Sequence, residues 1–352
     1  MNRLFRIRQT IRKISSFEFW PFWLFYLPMY FYGLFLAIRS CSFTYFTATN
    51  PGMKYGGAFG TSKYDVLQRI KAELVPQGIL IRNEDRLNPI QPEYLKQVLD
   101  DRGLKFPIIA KPDVGERGKG VELTENMQDL EVYLSEHHGL IILQEYISLP
   151  MELGIFYYCS PDKSVKEITS VVIRDFLRVE GDGLKTMREL INGNMRAQTR
   201  RNYFYRKFRD NLDVIPQKGS SVLLEPIGNH VRGTCFLNGN YLINEDLLKM
   251  ISGIAEDIKG FDYGRFDIRV ENLDKLYMGE GIKILELNGV NSEPAHIYDP
   301  NYKLFHAYRD IAKHMKIIYE ISLYNHRKGI PHAALGRFLI DFIVHIFPFK
   351  RP

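Results

Sequence analysis

The 352-residue sequence predicts an α+β fold behind an apolar N-terminal segment, on three observations. From about residue 60 onward, apolar runs of strand length alternate with stretches of helical periodicity. A lysine-bearing run is followed at once by a glycine-rich loop. Two further runs, GRFDIRV (264–270) and ILELNGV (284–290), set Asp267, Glu286 and Asn288 among Ile, Leu and Val.

Each element follows from local pattern. PIIAKP (107–112) reads as a buried strand, residues 124–138 as a helix stopped by Gly139, and LIILQEYI (140–147) as the next strand. Over 245–259 the apolar positions Leu247, Leu248, Ile251, Ile254, Ala255 and Ile258 recur at helical spacing. Asn244 stands where a helix N-cap belongs and Gly260 just past the end. A composition of 45% hydrophobic and 25% charged residues suits a chain with a real core. Cys41, Cys159 and Cys235 lie far apart with no C-x-x-C pair, which excludes a disulfide framework and a cysteine zinc site and fits a reducing compartment.

The net charge of +6 is unevenly spread, gathered at Arg3, Arg6, Arg8, Arg12 and Lys13 and again within 196–209. Between the first cluster and Arg39 run twenty uncharged residues, 19–38, ten of them aromatic and two, Pro21 and Pro28, helix breakers. Length alone suits a membrane span. The aromatic bias belongs to the interface, and the preceding positive charge would send everything after Arg39 outward in a single crossing. The expectation is a segment lying in the interface or bent near Pro28, held on the cytoplasmic face of the cell membrane as a monotopic or peripheral protein. Near the C-terminus Arg337, Asp341 and His345 recur every fourth residue in an otherwise apolar helix, possible second membrane contact or buried helix. The expected organisation is 1–40 membrane-associated, 41–59 a strand and glycine-rich connection, 60–310 the catalytic domain and 311–352 C-terminal helices.

The acids in apolar strands need a neutralising partner, either a basic residue such as Arg265 or Arg269 or a bound cation. DVGERGKGV (113–121) puts Gly115, Gly118 and Gly120 directly after Lys111. Glycines admit close backbone approach to a polyanion, and the lysine adds a point charge. The spacing matches neither the P-loop nor the dinucleotide fingerprint, and an ordinary hairpin reads the same way. Glu145 and Glu152 flank a proline-containing bend, and each alone reads equally as a solvated carboxylate. The basic stretch 194–210 reads as a solvated helix, an anionic-lipid surface or a phosphate-binding patch; nucleic acid is not expected. His230 and Arg232 touch substrate or cap a hairpin. Asn50, Gly52, Gly56 and Gly57 shape a pocket or a plain turn.

Taken in order, the lysine strand, glycine loop, helix, QEYI strand with its following glutamate, Gly-Arg-x-Asp and Glu-x-Asn resemble the ATP-grasp superfamily, and within it the D-alanine–D-alanine ligase-like carboxylate–amine ligases. RVEGDGLKTMRELI (178–191) is similar to a segment of cyanophycin-synthetase-type ligases. The resemblance implies two α/β subdomains sandwiching ATP. It assigns Lys111, and more loosely Lys63, to ATP phosphates, and the loop of Gly115, Gly118 and Gly120 to the β and γ phosphates. Glu145 with the backbone of Tyr146 and Ile147 would border adenine, and Glu152 would take the ribose. Asp267, Glu286 and Asn288 would hold two Mg²⁺ ions, with Mn²⁺ as a substitute, and Arg265 would face the transferring phosphoryl group. The sequence departs from the D-alanine ligases in lacking their N-terminal substrate domain and in carrying GVNSEPAHIYDP after the asparagine.

The expected activity is therefore a membrane-associated, Mg-ATP-dependent ligase that activates a carboxylate as an acyl phosphate for attack by an amine, on small-molecule or lipid-linked substrates. The alternatives are an ATP-grasp small-molecule kinase and a non-catalytic membrane scaffold. The intact set of Lys111, Asp267, Glu286 and Asn288 argues against the scaffold.

Overall fold

The computed structural model describes residues 16–83, 92–115 and 118–347. The basic cluster at 3–13 and residues 116–117 of the glycine loop lie outside them. The twenty-residue aromatic run is divided between two short helices, α1 (Phe22–Phe25) and α2 (Leu27–Arg39). Pro21 is the N-cap of α1 and Pro28 stands in the first turn of α2, where a missing N–H costs nothing. Both prolines therefore start helices, and the run bends between them. Among the described residues no helix is long and apolar enough to cross a membrane.

A short helix, α3 (Lys63–Leu67), leads into the first sheet. Its elements are β1 (Gly78–Asn83), α4 (Pro92–Asp101), β2 (Ile108–Pro112), β3 (Glu122–Thr124), α5 (Met127–Glu136) and β4 (Gly139–Glu145). The strands are antiparallel in the order β1-β4-β2-β3. Alternation divides its faces. Ile108, Ala110, Ile141 and Leu143 pack with Leu95, Leu99, Leu130 and Tyr133 of α4 and α5. Ile109, Lys111 and Gln144 face the other way.

The second sheet is built from β5 (Met151–Cys159) and β6 (Lys166–Asp175). A small excursion follows: β7 (Arg178–Glu180), α6 (Met187–Gly193), α7 (Met195–Gln198), α8 (Arg201–Lys207) and β8 (Ser221–Leu223). Thr186 and Glu189 close a capping box on α6. The chain returns through β9 (Cys235–Asn238), α9 (Glu245–Glu256), β10 (Tyr263–Val270), α10 (Leu273–Met278) and β11 (Ile282–Asn288). The antiparallel order is β11-β10-β5-β6-β9. Asn244 caps α9 by accepting from the Leu247 N–H at 2.8 Å, as its position in the sequence implies. One face of this sheet, with Leu153, Ile155, Phe266, Ile268 and Ile284, packs on α9 and α10.

The long helix α11 (Leu304–Arg327) covers part of the other face through Ile317 and Ile321 against Phe156 and Tyr263. The last helix is α12 (Leu335–Ile346), whose Phe338 and Phe342 pack on Phe59. The connection over 41–59 holds no strand; it turns through short 3-10 segments at Tyr45–Ala48 and Lys54–Gly57, where its glycines and Asn50 favour turns, and it is structural. Asn50 is fully buried; it donates to the Gly56 and Tyr263 carbonyls and accepts from the Asp262 and Tyr263 amides, at 2.8–3.0 Å. Gly57 lies so close to Gly289 that a Cβ there would meet the Gly289 Cα at 2.7 Å, and its φ of +88° also favours glycine.

Candidate active site

The polar faces of the two sheets enclose one cavity of about 530 Å³, within the range of small-molecule sites. The placement of its acids depends on an irregularity. Along β11 strict alternation would put Glu286 and Asn288 on the same face as Ile282 and Ile284, which are core residues. The pairing slips between Asp267 and Ile268, so that Asp267 faces Glu286 while Ile268 faces Ile284 and Leu285 is left over. This bulge reverses the parity of the strand. Leu287 stays in the core, Glu286 and Asn288 join Asp267 on the cavity wall, and the Leu285 carbonyl lies 3.4 Å from Lys111 Nζ.

Asp267 is almost fully buried. Its carboxylate accepts from Arg265 at 2.8 and 3.2 Å, pairs with Arg174 Nη2 at 2.8 Å and accepts from Asn288 Nδ2 at 3.3 Å. Burial alone would raise its pKa, but the guanidiniums of Arg174 and Arg265 outweigh that and hold it below the ordinary carboxylate range. Gly154, opposite Asp267 on β5, keeps this cluster flat: a Cβ there would come within 3.2 Å of Asp267 Oδ1 and of Arg265 Cδ.

Lys111 is buried and donates to Gln144 Oε1 at 2.9 Å. Burial pushes its pKa down to about 8, with Glu286 opposing that effect and Lys63 adding to it. Lys63 opens α3 and reaches the same place, donating to the Gly115 carbonyl and lying 3.6 Å from Glu286 Oε1. The looser of the two lysine assignments therefore lands beside the glycine loop. Gly115 and Gly118 line the cavity as well. Gly120 packs on Pro112, and Arg232 ties the loop down through the carbonyls of Gly118 and Val121 at 3.1 and 2.6 Å.

Glu145, Tyr146 and Ile147 line the cavity where β4 ends. The Ile147 carbonyl is engaged by Arg269 Nη1 at 2.5 Å. Glu152 requires a correction. It does border the cavity, yet one oxygen binds Arg174 at 2.5 Å and the other Arg269 at 3.0 Å, so its carboxylate is committed to an ion-pair network rather than free for a ribose. The competing explanation of the sequence, an arginine network around the acids, thus coexists with the proposed ligand set. Among the described residues no group of three His, Cys, Asp or Glu stands ready for a metal. The oxygen donors of Asp267, Glu286 and Asn288 nevertheless share one wall of the cavity and are hard ligands of the kind Mg²⁺ takes; Asp267, like Glu152, is engaged by arginines, so a cation would bind it only by displacing Arg174 or Arg265.

The cavity has a second half that sequence reasoning missed. Phe17, Glu18, Trp20, Phe22 and Phe25 of the N-terminal segment form part of its wall. Glu18 is buried and binds Arg196 Nη2 through both oxygens, at 2.7 and 3.0 Å; His230 Nε2 is 3.9 Å away. Burial works against the Glu18 charge, while His230 and Arg196 more than restore it and leave the pKa below the usual value. Within the basic stretch, Arg196 and Arg200 are paired with Glu18 and Glu225; Arg201, Arg206 and Arg209 are exposed. Arg174, Gln144 and Glu18 all carried one legible signal, a polar or charged residue inside an apolar run.

Elsewhere Ser170 Oγ lies 2.7 Å from His296 Nδ1, and His296 Nε2 lies 3.2 Å from Asp310. This serine–histidine–aspartate series is structural: Ser170 and His296 are each 1% exposed and neither lines the cavity.

Two antiparallel sheets with a lysine, a glycine loop and an acid–asparagine wall between them are the arrangement that the resemblance to the ATP-grasp superfamily implies. Residues 68–155 match the RimK-like ATP-grasp domain, and the expectation of an ATP-grasp domain is borne out by that match. No curated protein matches the chain. Among solved structures it is similar to a D-alanine–D-alanine ligase from Bacillus anthracis complexed with ATP, at 12% identity and a TM-score of 0.41 over 76% of this chain and 68% of that one. A bifunctional glutathione synthetase from Pasteurella multocida gives 16% and 0.37, over 75% and 38%. The VanG D-Ala:D-Ser ligase from Enterococcus faecalis gives 15% and 0.36, over 70% and 57%. The chain thus spans less than two thirds of the length of the last two.

Proposed function

We propose that the protein is a Mg-ATP-dependent ligase that joins a carboxylate to an amine at a membrane surface. The observation that carries the reading is the convergence of Lys111, Lys63, Asp267, Glu286 and Asn288 on one cavity, opposite the glycine loop. Lys111 and Lys63 bind and orient the ATP phosphates, and Asp267, Glu286 and Asn288 would hold two Mg²⁺ ions, which neutralise phosphate charge. A substrate carboxylate oxygen bonds to the γ-phosphorus as the bond to the β,γ-bridging oxygen breaks, giving an acyl phosphate and ADP. The amine then adds at the acyl carbon, loses its proton and expels inorganic phosphate. Arg265 and Arg174 face the charge that develops, and the burial of the site keeps water from the acyl phosphate.

Membrane attachment is supported by the exposed apolar side chains of α1 and α2, among them Trp23, Phe31, Phe35 and Ile38, and by those of α12, including Ile340, Ile343 and Phe347 just beyond it. Such faces exceed what an ordinary soluble monomer displays, and the basic residues before residue 16 complement an anionic lipid surface. The availability of ATP supports attachment on the cytoplasmic face. Hydroxylamine added to enzyme, Mg-ATP and a membrane lipid extract is the test. A hydroxamate is expected; ATP-dependent formation of a stable phosphate ester without any hydroxamate would replace the ligase with a kinase.

A further inference from the structure

The half of the cavity away from the lysines is built by residues distant in sequence, and its wall is a chain of touching rings. Phe25 faces Tyr298 with centroids 6.0 Å apart, Tyr298 faces His230 at 5.6 Å, and His230 meets Phe236 at 5.3 Å. Arg174 lies over the same Phe236, 5.8 Å from its centroid. The path therefore runs from the Asp267 cluster, through Arg174, to the helices of the apolar segment. At its outer end Phe22 belongs both to the cavity wall and to the exposed apolar surface, being 42% exposed.

Two nitrogen atoms on this path are buried without a hydrogen-bond partner, Arg174 Nε and His230 Nε2, whose side chains both lie against Phe236; the nearest acid to His230 Nε2, Glu18, is 3.9 Å away, beyond hydrogen-bond reach. A buried N–H left unpaired is costly. Arg174 Nε can only donate, and His230 Nε2 donates in the corresponding tautomer, so what each calls for is an acceptor oxygen. The acids nearby are already engaged: Glu18 by Arg196, and Glu293 by the Tyr298 hydroxyl. What the cavity lacks is an anionic oxygen at the polar end and an apolar body along the rings.

We propose that this half-cavity binds an amphiphilic carboxylate, its ionised head between Arg174 and His230 and its apolar chain running past Trp20 and Phe25 to leave at Phe22. The assignment rests on the ligase reading for its role as substrate. It makes the membrane-seeking segment a wall of the active site and not only an anchor.

Trp20 and Trp23 are the two tryptophans of the sequence, and only Trp20 lines the cavity. In the Trp23→Phe full-length protein on phosphatidylcholine vesicles with Mg-ATP, ω-bromododecanoate is titrated while Trp20 emission is followed, against ω-bromobutyrate and ω-bromododecanol. Saturable quenching by the long acid is expected at concentrations at least about tenfold below those needed for the short acid, which lacks most of the buried methylenes, or for the alcohol, which lacks the charge. His230→Leu should weaken the long acid by about tenfold and leave the alcohol unchanged. Equal response to acid and alcohol overturns the head assignment, and equal response to long and short acids overturns the amphiphile. Mg-ATP binding is read on the same samples by melting temperature. Loss of that binding with quenching intact removes the ligase reading alone; the reverse removes the amphiphile alone.

Discussion

The two halves of the cavity are made by different means. The nucleotide half comes from strands that are neighbours in each sheet, so its side chains are fixed by alternation, by one bulge and by hydrogen-bonded register. The acceptor half is assembled from segments around residues 18, 196, 230 and 298, held by one buried ion pair, Glu18–Arg196, and a line of aromatic contacts. On the proposed reading, phosphate chemistry falls to the rigid framework and substrate choice to pieces that can vary without disturbing it. It also explains why the N-terminal segment is not dispensable decoration: removing it opens one wall of the site.

The comparison can be broken most forcefully in the nucleotide half. Glu286→Gln should lower turnover by at least about a hundredfold, more than loss of a supporting contact usually costs a metal site, with little change in melting temperature because Glu286 is only half-buried. Asp267→Asn should lose turnover as well, but it also removes the buried carboxylate that pairs Arg265 and Arg174, and the expected destabilisation is about 1–3 kcal/mol, because Arg174 keeps Glu152 and neither guanidinium is fully buried. Steady-state kinetics and thermal melts on both variants separate the two effects.

Lys111 gives the next largest effect, and it depends on pH. Its folded pKa of about 8 lies below the ordinary 10.5. Below pH 8 it is protonated in both folded and unfolded chains and the cost of burying the cation is fully present. Between pH 8 and 10.5 the unfolded chain holds the proton and the folded chain does not, so stability of the ligand-free protein should rise with pH across that window. Lys111→Met should remove the rise. Because ATP phosphates favour the charged form, ATP binding near pH 8.5 should take up a proton in wild type, seen by calorimetry in buffers of different ionisation enthalpy.

A change in the acceptor half should be smaller and selective. Arg196→Gln leaves Glu18 without its partner and should raise KM for the second substrate by about tenfold while the Kd for ATP stays within twofold of wild type by direct binding. A parallel loss of ATP affinity would mean that the halves are coupled. The smallest effect is on attachment: high salt should fail to release the full-length protein from membranes and detergent should succeed, since apolar burial outweighs screened charge.

Legibility follows the same division. Lys111, Asp267, Glu286 and Asn288 stood out because a charged or amide side chain in an apolar strand needs a reason. The bulge at Leu285 was not legible, for a one-residue slip leaves no mark in composition, and without it alternation alone aims Glu286 at the core. The ribose assignment of Glu152 misled because the arginines that claim it, Arg174 and Arg269, lie on other strands. Glu18 was passed over because it stands just before the uncharged run 19–38, which was read for its length and hydropathy, and its partner Arg196 was one of several arginines in a stretch that is partly a solvated surface. Pairings across such sequence distances are set by tertiary packing, which no local pattern encodes.

The central claim, that Asp267, Glu286 and Asn288 form the Mg-ATP wall of a site whose other half is independent of it, meets its most direct test in one set of melts. Mg-ATP at about a hundred times its Kd should stabilise the wild-type protein by about 2.7 kcal/mol. Glu286→Gln should lose most of the magnesium-dependent part of that shift, and Glu18→Gln should keep it. A full shift in Glu286→Gln, or its loss in Glu18→Gln alone, would contradict the account.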